Sequence, residues 1–315
     1  MKHYLDDNLF SSMLELKEKD EMSYLAWQVI LSDDTLCPVL RKMKIDIYYR
    51  GYKAFSLTGD GIIRNHDEFN NELYIYDVPE VISKEKFMEY LPYMKQNIDL
   101  WIGAGKKSPY EREFMQLIMR ENNSKKAGNL SDYFIIDMEH QYKKSAPIPD
   151  LAGLIMERSQ RRRKTYRLSI IEVKYLDRAF TGPAGIGAHI DDYVRLLNDP
   201  DLQNDLKSDI CEMFYQSKKL GLLPGIRNKN ERIDISDERP ELLLALISRN
   251  TNNGRNNRKN EVKSLKDILE SSLKKYGDVL DDVYVAGTAE IGFGLYADRK
   301  MKLRDFCGQL SGRTV

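Results

Sequence analysis

PIPDLAGLIMERSQRRRKTYRLSIIEVKYLD, residues 147–177, places two apolar runs on either side of an Arg/Lys-rich turn. The first run carries an aspartate at its start, Asp150, and the second ends in Glu172-Val173-Lys174. The positions around these charges are Leu, Ala, Ile, Met, Val and Tyr, the pattern of buried strands and not of a solvated hairpin. Successive side chains of a strand point to opposite faces. Residues 150, 152, 154 and 156 therefore share one face, and 168, 170, 172 and 174 share one on the partner strand. With the turn near Ser159–Lys164, Asp150 meets Glu172 and Lys174 at the open end of the hairpin. A slip of one residue would break that meeting.

The rest of the chain reads outward from this hairpin. SPYEREFMQLIMRENNS, residues 108–124, predicts a helix with Ser108 as cap, Pro109 in the first turn and Glu111 at the capping-box position. DYFIIDMEHQY, 132–142, predicts a strand with Asp137 and Glu139 on one face, read as edge-strand charges. ERPELLLALIS, 238–248, predicts a further central strand, and VKSLKDILESSLKKYG a helix after the polar loop TNNGRNNRKN, 251–260. DDVYVAGTAEIGFGLYA predicts the last strands. Earlier, SSMLELKEKDEMSYLAWQVIL predicts one amphipathic helix burying Leu14, Leu16, Tyr24 and Trp27. MKIDIYYRGYKAFSL predicts extended chain with a turn at Gly51, and SKEKFMEYLPYMKQ a helix. Strands and helices in this order predict an α/β protein, a mixed central sheet with helices packed on it. An N-terminal α+β extension over 1–105 precedes a core over 106–315.

Two carboxylates and an ammonium gathered at a sheet edge call for a physical reason, because like charges repel and burial strips their water. A hard divalent cation such as Mg²⁺ takes oxygen ligands, and Asp150 and Glu172, with the carbonyl of Val173, supply them. Lys174 would then orient or deprotonate an attacking water. The plainer reading is a turn aspartate and a salt-bridged Glu172/Lys174 pair on an exposed face. Against it stand Ile170, Ile171, Val173 and Tyr175, which read as buried on both sides.

Pro149-Asp150 followed by Glu172-Val173-Lys174, in a hairpin of apolar strands behind a helix bearing a glutamate, resembles the core motif of the PD-(D/E)xK nuclease superfamily. The resemblance covers about residues 108–250. Glu111, or less well Glu113, fills the place of the helix glutamate. The helix after the hairpin reads His189-Ile-Asp-Asp-Tyr193, so the family's tyrosine is matched while its glutamine is replaced by histidine. The resemblance implies a restriction-endonuclease-like fold and a Mg²⁺-dependent phosphodiesterase (Mn²⁺ serving as well), an endo- or exodeoxyribonuclease. Asp150, Glu172, Lys174 and Glu111 would be catalytic, and Asp150, Glu172 and Val173 would hold the metal. The partner would be nucleic acid, DNA before RNA.

Lys and Arg equal Asp and Glu at 49 each, so no global field attracts a polyanion and contact must be local. The hairpin turn offers Arg161, Arg162 and Arg163 as a grip on a phosphate backbone beside the chemistry, with His189 and Tyr193 as further substrate contacts. Two other functions fit less of the sequence. One is a protein that keeps the nuclease fold and binds nucleic acid or a partner protein without hydrolysis. The other is a nucleotide or small-molecule enzyme using the Gly182–Gly187 loop, although that loop matches no phosphate-binding fingerprint. Cys37, Cys211 and Cys307 are too dispersed for a disulfide framework or a cysteine zinc site. The start has no signal-peptide shape and no run approaches membrane-spanning length, so the expected location is cytoplasmic, with no membrane partner. An oligomer or a protein partner stays open.

Overall fold

Asp6 and Asp20 divide the first helical stretch. Each accepts a main-chain N–H from the turn that follows it, Leu9 and Ser23 respectively, satisfying donors that a helix start leaves bare. The result is α1 (Asp7–Leu14), the single turn α2 (Leu16–Lys19) and α3 (Glu21–Ser32), where one long helix was predicted. Trp27 is buried as expected, but Leu14, at the end of α1, is left 46% exposed. The computed structural model describes residues 2–58, 63–65, 76–105, 110–124, 131–139, 149–157, 159, 163–175, 185–224, 226, 232–247, 255–287 and 292–312.

A small antiparallel sheet follows, β1 (Leu36–Arg41), β2 (Lys44–Tyr49), β3 (Tyr52–Thr58), β4 (Ile63–Asn65) and β5 (Val81–Ile82), its strands adjacent in sequence order. Gly51 makes the predicted turn: Arg50 and Gly51 take φ of 50° and 77°, the left-handed region open to glycine, and fold β3 back onto β2. Helix α4 (Phe87–Gly103) closes this region. Its Phe87 and Ile98 belong to the same buried cluster as Trp27 and Phe55.

The second, larger sheet carries the hairpin. Helix α5 (Tyr110–Asn123) precedes β6 (Tyr133–Met138), β7 (Leu151–Ile155) and β8 (Thr165–Tyr175). Next come α6 (Ile186–Leu197), α7 (Pro200–Lys219), β9 (Asp234–Ile235), β10 (Glu241–Ile247), α8 (Arg255–Tyr276), β11 (Val283–Gly287), β12 (Met301–Lys302) and α9 (Leu303–Gly312). The order across the sheet is β12-β11-β10-β8-β7-β6, with β9 beside the start of β8. Strands β6, β7 and β8 are antiparallel, whereas β8, β10 and β11 run parallel and are joined through helices, as parallel pairs require. The architecture is mixed α/β, a central sheet flanked by helices behind an N-terminal α+β region.

Each face of the sheet has its own apolar partners. Ile171 and Val173 of β8 pack with Met115 and Ile118 of α5. Ile170 and Leu168, one residue out of phase, pack with Ile190 and Tyr193 of α6 and Phe214 of α7. That second cluster is continuous with Leu5, Trp27 and Phe55, so the N-terminal region shares its core with the main sheet.

Several local expectations change. Helix α8 begins at Arg255, inside the predicted asparagine-rich loop. Among the described residues of the predicted final strands only β11 forms, and its antiparallel partner is β12 further on. Asp137 is not an edge charge: it is fully buried, Arg41 Nη1 donates to it at 2.6 Å, and His3 Nδ1 lies 2.9 Å away. Glu139, just past the end of β6, takes φ +54° and accepts from Arg112 instead. Residues Ser108 and Pro109, the predicted cap, lie outside the described residues.

Gly153 of β7 sits where a Cβ would fall 2.4 Å from the Phe134 carbonyl oxygen of β6. Neither main chain can yield without opening the ladder. Gly153→Ala is expected to lower stability by about 1–3 kcal/mol, read as a drop in the urea midpoint. An unchanged midpoint would show that the β6–β7 spacing is looser than described.

Candidate functional site

The register of β7 on β8 decides where the charges go. Leu151 pairs with Ile171 and Ala152 with Ile170, which puts Asp150 at the mouth of the hairpin against Glu172. The Val173 N–H donates to Asp150 Oδ2 at 2.8 Å and fixes the carboxylate there. Glu172 and Lys174 follow the strand period onto the face that carries α6. Both are nearly buried, at 4% and 3% exposure. Helix α5 crosses the end of β8 and delivers Glu111 from its first turn, where the Tyr175 main-chain N–H also reaches its carboxylate. Glu113 points elsewhere, accepting from Arg50 Nε at 3.0 Å, so Glu111 is the helix carboxylate of this cluster.

At the centre stands the Lys174 ammonium. Its Nζ lies 3.6 Å from Glu111 Oε1, 3.7 Å from Asp150 Oδ2 and 4.0 Å from Glu172 Oε2. His189, in the first turns of α6, brings Nδ1 to 3.2 Å from Glu172 Oε2, an oxygen that makes no well-formed hydrogen bond. Beside it is a hollow of about 20 Å³, bordered by Pro149, Glu172, His189 and Tyr193. Burial pushes the Glu172 carboxyl well above the ordinary carboxylate range, and the negative charge of Asp150 pushes it further. Burial raises Glu111 too, against the opposing pull of Lys174.

This geometry corrects the metal-dependent reading. Among the described residues no group of three or more His, Cys, Asp or Glu is disposed to hold a metal ion. The oxygens that spacing assigned to Mg²⁺ or Mn²⁺ converge on an ammonium: Asp150 Oδ2 is held by the Val173 amide, burial raises the Glu172 carboxyl well above the ordinary carboxylate range, and Lys174 Nζ stands between them at 3.7 and 4.0 Å. Val173 joins the cluster through its N–H, and not through the carbonyl that had been assigned to metal. A Mg²⁺-dependent phosphodiesterase, and with it the nuclease and metal-binding functions, is therefore withdrawn.

The remaining sequence candidates divide. His189 joins the cluster. Tyr193 turns inward, its ring 3% exposed and its hydroxyl donating to the Pro240 carbonyl at 2.5 Å. Arg161 and Arg162 lie outside the described residues. Arg163 is exposed just before β8, at the opposite end of the strand from Lys174, roughly 30–35 Å away at the usual rise. Arg163 therefore does not flank the cluster. Of the Gly182–Gly187 loop, Gly185 caps α6 without a side-chain bond and Gly187 lines a separate groove of about 540 Å³ between α6 and α8. There Lys275 already pairs with Asp191, 3.1 Å apart. Gly182 to Ala184 lie outside the described residues.

A feature absent from the sequence reading lies next to the cluster. Tyr110, Tyr175, Phe114 and Phe293 form one continuous row of rings. Their centroids are 5.2, 5.4 and 5.6 Å apart in that order, and the planes are inclined by only 31°, 27° and 34°. Tyr110 and Phe114 are one helical turn apart on α5, Tyr175 follows Lys174, and Phe293 arrives from beyond β11. Only the i, i+4 pair was available as a sequence signal.

No helix among the described residues is long and apolar enough to cross a membrane. Compared with protein-family models, curated proteins and solved structures, the chain matches none.

The sign of the Glu172 shift makes a pH prediction. Unfolded, this carboxyl titrates near 4.5; folded, it holds its proton to higher pH. Between the two the native state binds more protons than the unfolded one, so stability falls as pH rises through that window. Glu172→Gln, which cannot ionise, is expected to stabilise the chain above pH 4.5, a gain that vanishes below it. Thermal melts from pH 4 to 8 read this directly. A gain independent of pH, or a loss that grows with pH, would refute the assignment.

Proposed function

We propose that this chain is a nucleic-acid-binding protein of restriction-endonuclease-like fold, DNA before RNA, that holds its ligand without metal-dependent cleavage. The carrying observation is the Lys174 ammonium within 4.0 Å of three carboxylates. That arrangement offsets part of the acid cluster's charge from within, so an approaching polyanion meets a polar surface of reduced negative charge. The resemblance of Asp150 and Glu172-Val173-Lys174 to the PD-(D/E)xK motif supports the choice of fold and ligand. The side chains of Glu111 and Asp150 remain 41% and 20% exposed, and their oxygens suit the amino groups on base edges.

Fluorescence anisotropy of labelled DNA and RNA in EDTA tests this. Binding is expected without metal, with strands recovered at full length, and Glu111→Gln is expected to weaken it about tenfold through the loss of one charged acceptor. No binding to any nucleic acid would discard the reading and turn the search to a protein partner.

A further inference from the structure

The row of rings at the cluster's rim has no role in neutralising Lys174. We propose that Tyr110, Tyr175, Phe114 and Phe293 form a stacking platform for unpaired nucleobases, so that the preferred ligand is single-stranded. This rests on the nucleic-acid reading and narrows it.

Three observations carry the inference. The rings are inclined neighbours rather than the crossed walls of a cage: Phe114 stacks on Tyr175 at 27°, and the Tyr110–Tyr175 and Phe114–Phe293 pairs are tilted by 31° and 34°. A flat guest can extend such a row by one more layer, and bases do so irrespective of sequence because each has a π face. The row also ends in solvent, with Tyr110 41% exposed at the start of α5.

The third observation is what lies next to that end. Glu111 follows Tyr110 in the helix, and Lys174 precedes Tyr175 in the strand, so stacking surface and carboxylate acceptors share one rim. A base stacked on Tyr110 could direct exocyclic amino groups to Glu111. A cationic peptide is the competing guest for aromatic rings beside acids. The ammonium of Lys174, 3.6 Å from Glu111 and 3.7 Å from Asp150, already offsets part of that attraction, and the peptide is kept as the competitor in the test. In a duplex the faces are occupied by neighbouring bases, so only unpaired bases can use the row.

The experiment compares the wild type, Tyr110→Leu and Tyr110→Trp for binding to a single-stranded oligonucleotide, its duplex and a lysine/arginine-rich peptide. Tyr110 is partly solvent-exposed at a helix start, and thermal melts establish that each variant is folded. The wild type is expected to prefer the single strand. Tyr110→Leu is expected to weaken single-strand binding about tenfold while leaving duplex binding unchanged. Tyr110→Trp is expected to retain affinity, with its indole emission quenched on binding. Equal binding of both strand forms, or single-strand binding untouched by Tyr110→Leu, would overturn this inference and leave the nucleic-acid reading standing. Failure of all forms to bind nucleic acid would overturn both. Competition by the basic peptide, relieved in Tyr110→Leu, would assign the row to a cationic protein segment instead.

Discussion

A lysine ammonium at 3% exposure must be neutralised where it stands, and the arrangement around Lys174 follows from that requirement. Three separate elements answer it. The chain entering β7 contributes Asp150, β8 itself contributes Glu172 two residues earlier on the same face, and α5 contributes Glu111 by crossing the strand end. Moving any one of these elements by a turn or a register step would leave a charge stranded in low dielectric. The carboxylates outnumber the cation, and burial together with the negative charge of Asp150 raises the pKa of Glu172. The cluster thus constrains the position of α5 on the sheet as firmly as the apolar contacts of Met115 and Ile118 do.

The same compensation shapes what can approach. An uncompensated trio of carboxylates would repel phosphates strongly. With Lys174 among them, the rim offers acceptors in modest field, and the adjacent rings offer flat apolar surface. Polarity and stacking area are brought to one edge by the alternation of a single strand, in which Lys174 faces α6 and Tyr175 faces α5.

Much of this was legible in the sequence because strand alternation has a period of two and both runs of the hairpin are apolar. Positions 150, 172 and 174 could be assigned to one place from the letters alone, and the register agrees. What spacing could not tell is where an ammonium ends up. Counting oxygens suggested a metal, but the three-dimensional arrangement puts Lys174 in the middle and turns the Val173 amide onto Asp150. The aromatic row escaped because its members come from positions 110, 114, 175 and 293, and no local period links them. Asp137 misled for a similar reason. Its partners, His3 and Arg41, lie 134 and 96 residues away, so on local pattern alone it resembled a solvated edge charge.

That buried aspartate also ties the two ends of the folding problem together. Arg41 closes over it with a second donation, from Nη2 to the Met138 carbonyl at 2.6 Å, while the start of the chain is latched nearby by Leu5, whose main chain exchanges hydrogen bonds with the Gln216 side chain. Among the described residues, the strand bearing Asp137 thus takes Arg41 and His3, made long before it, as ion-pair partners. The opening segment is made first and joins this strand late, and a core expressed without it would lose the Arg41 and His3 partners of a fully buried carboxylate in its main sheet.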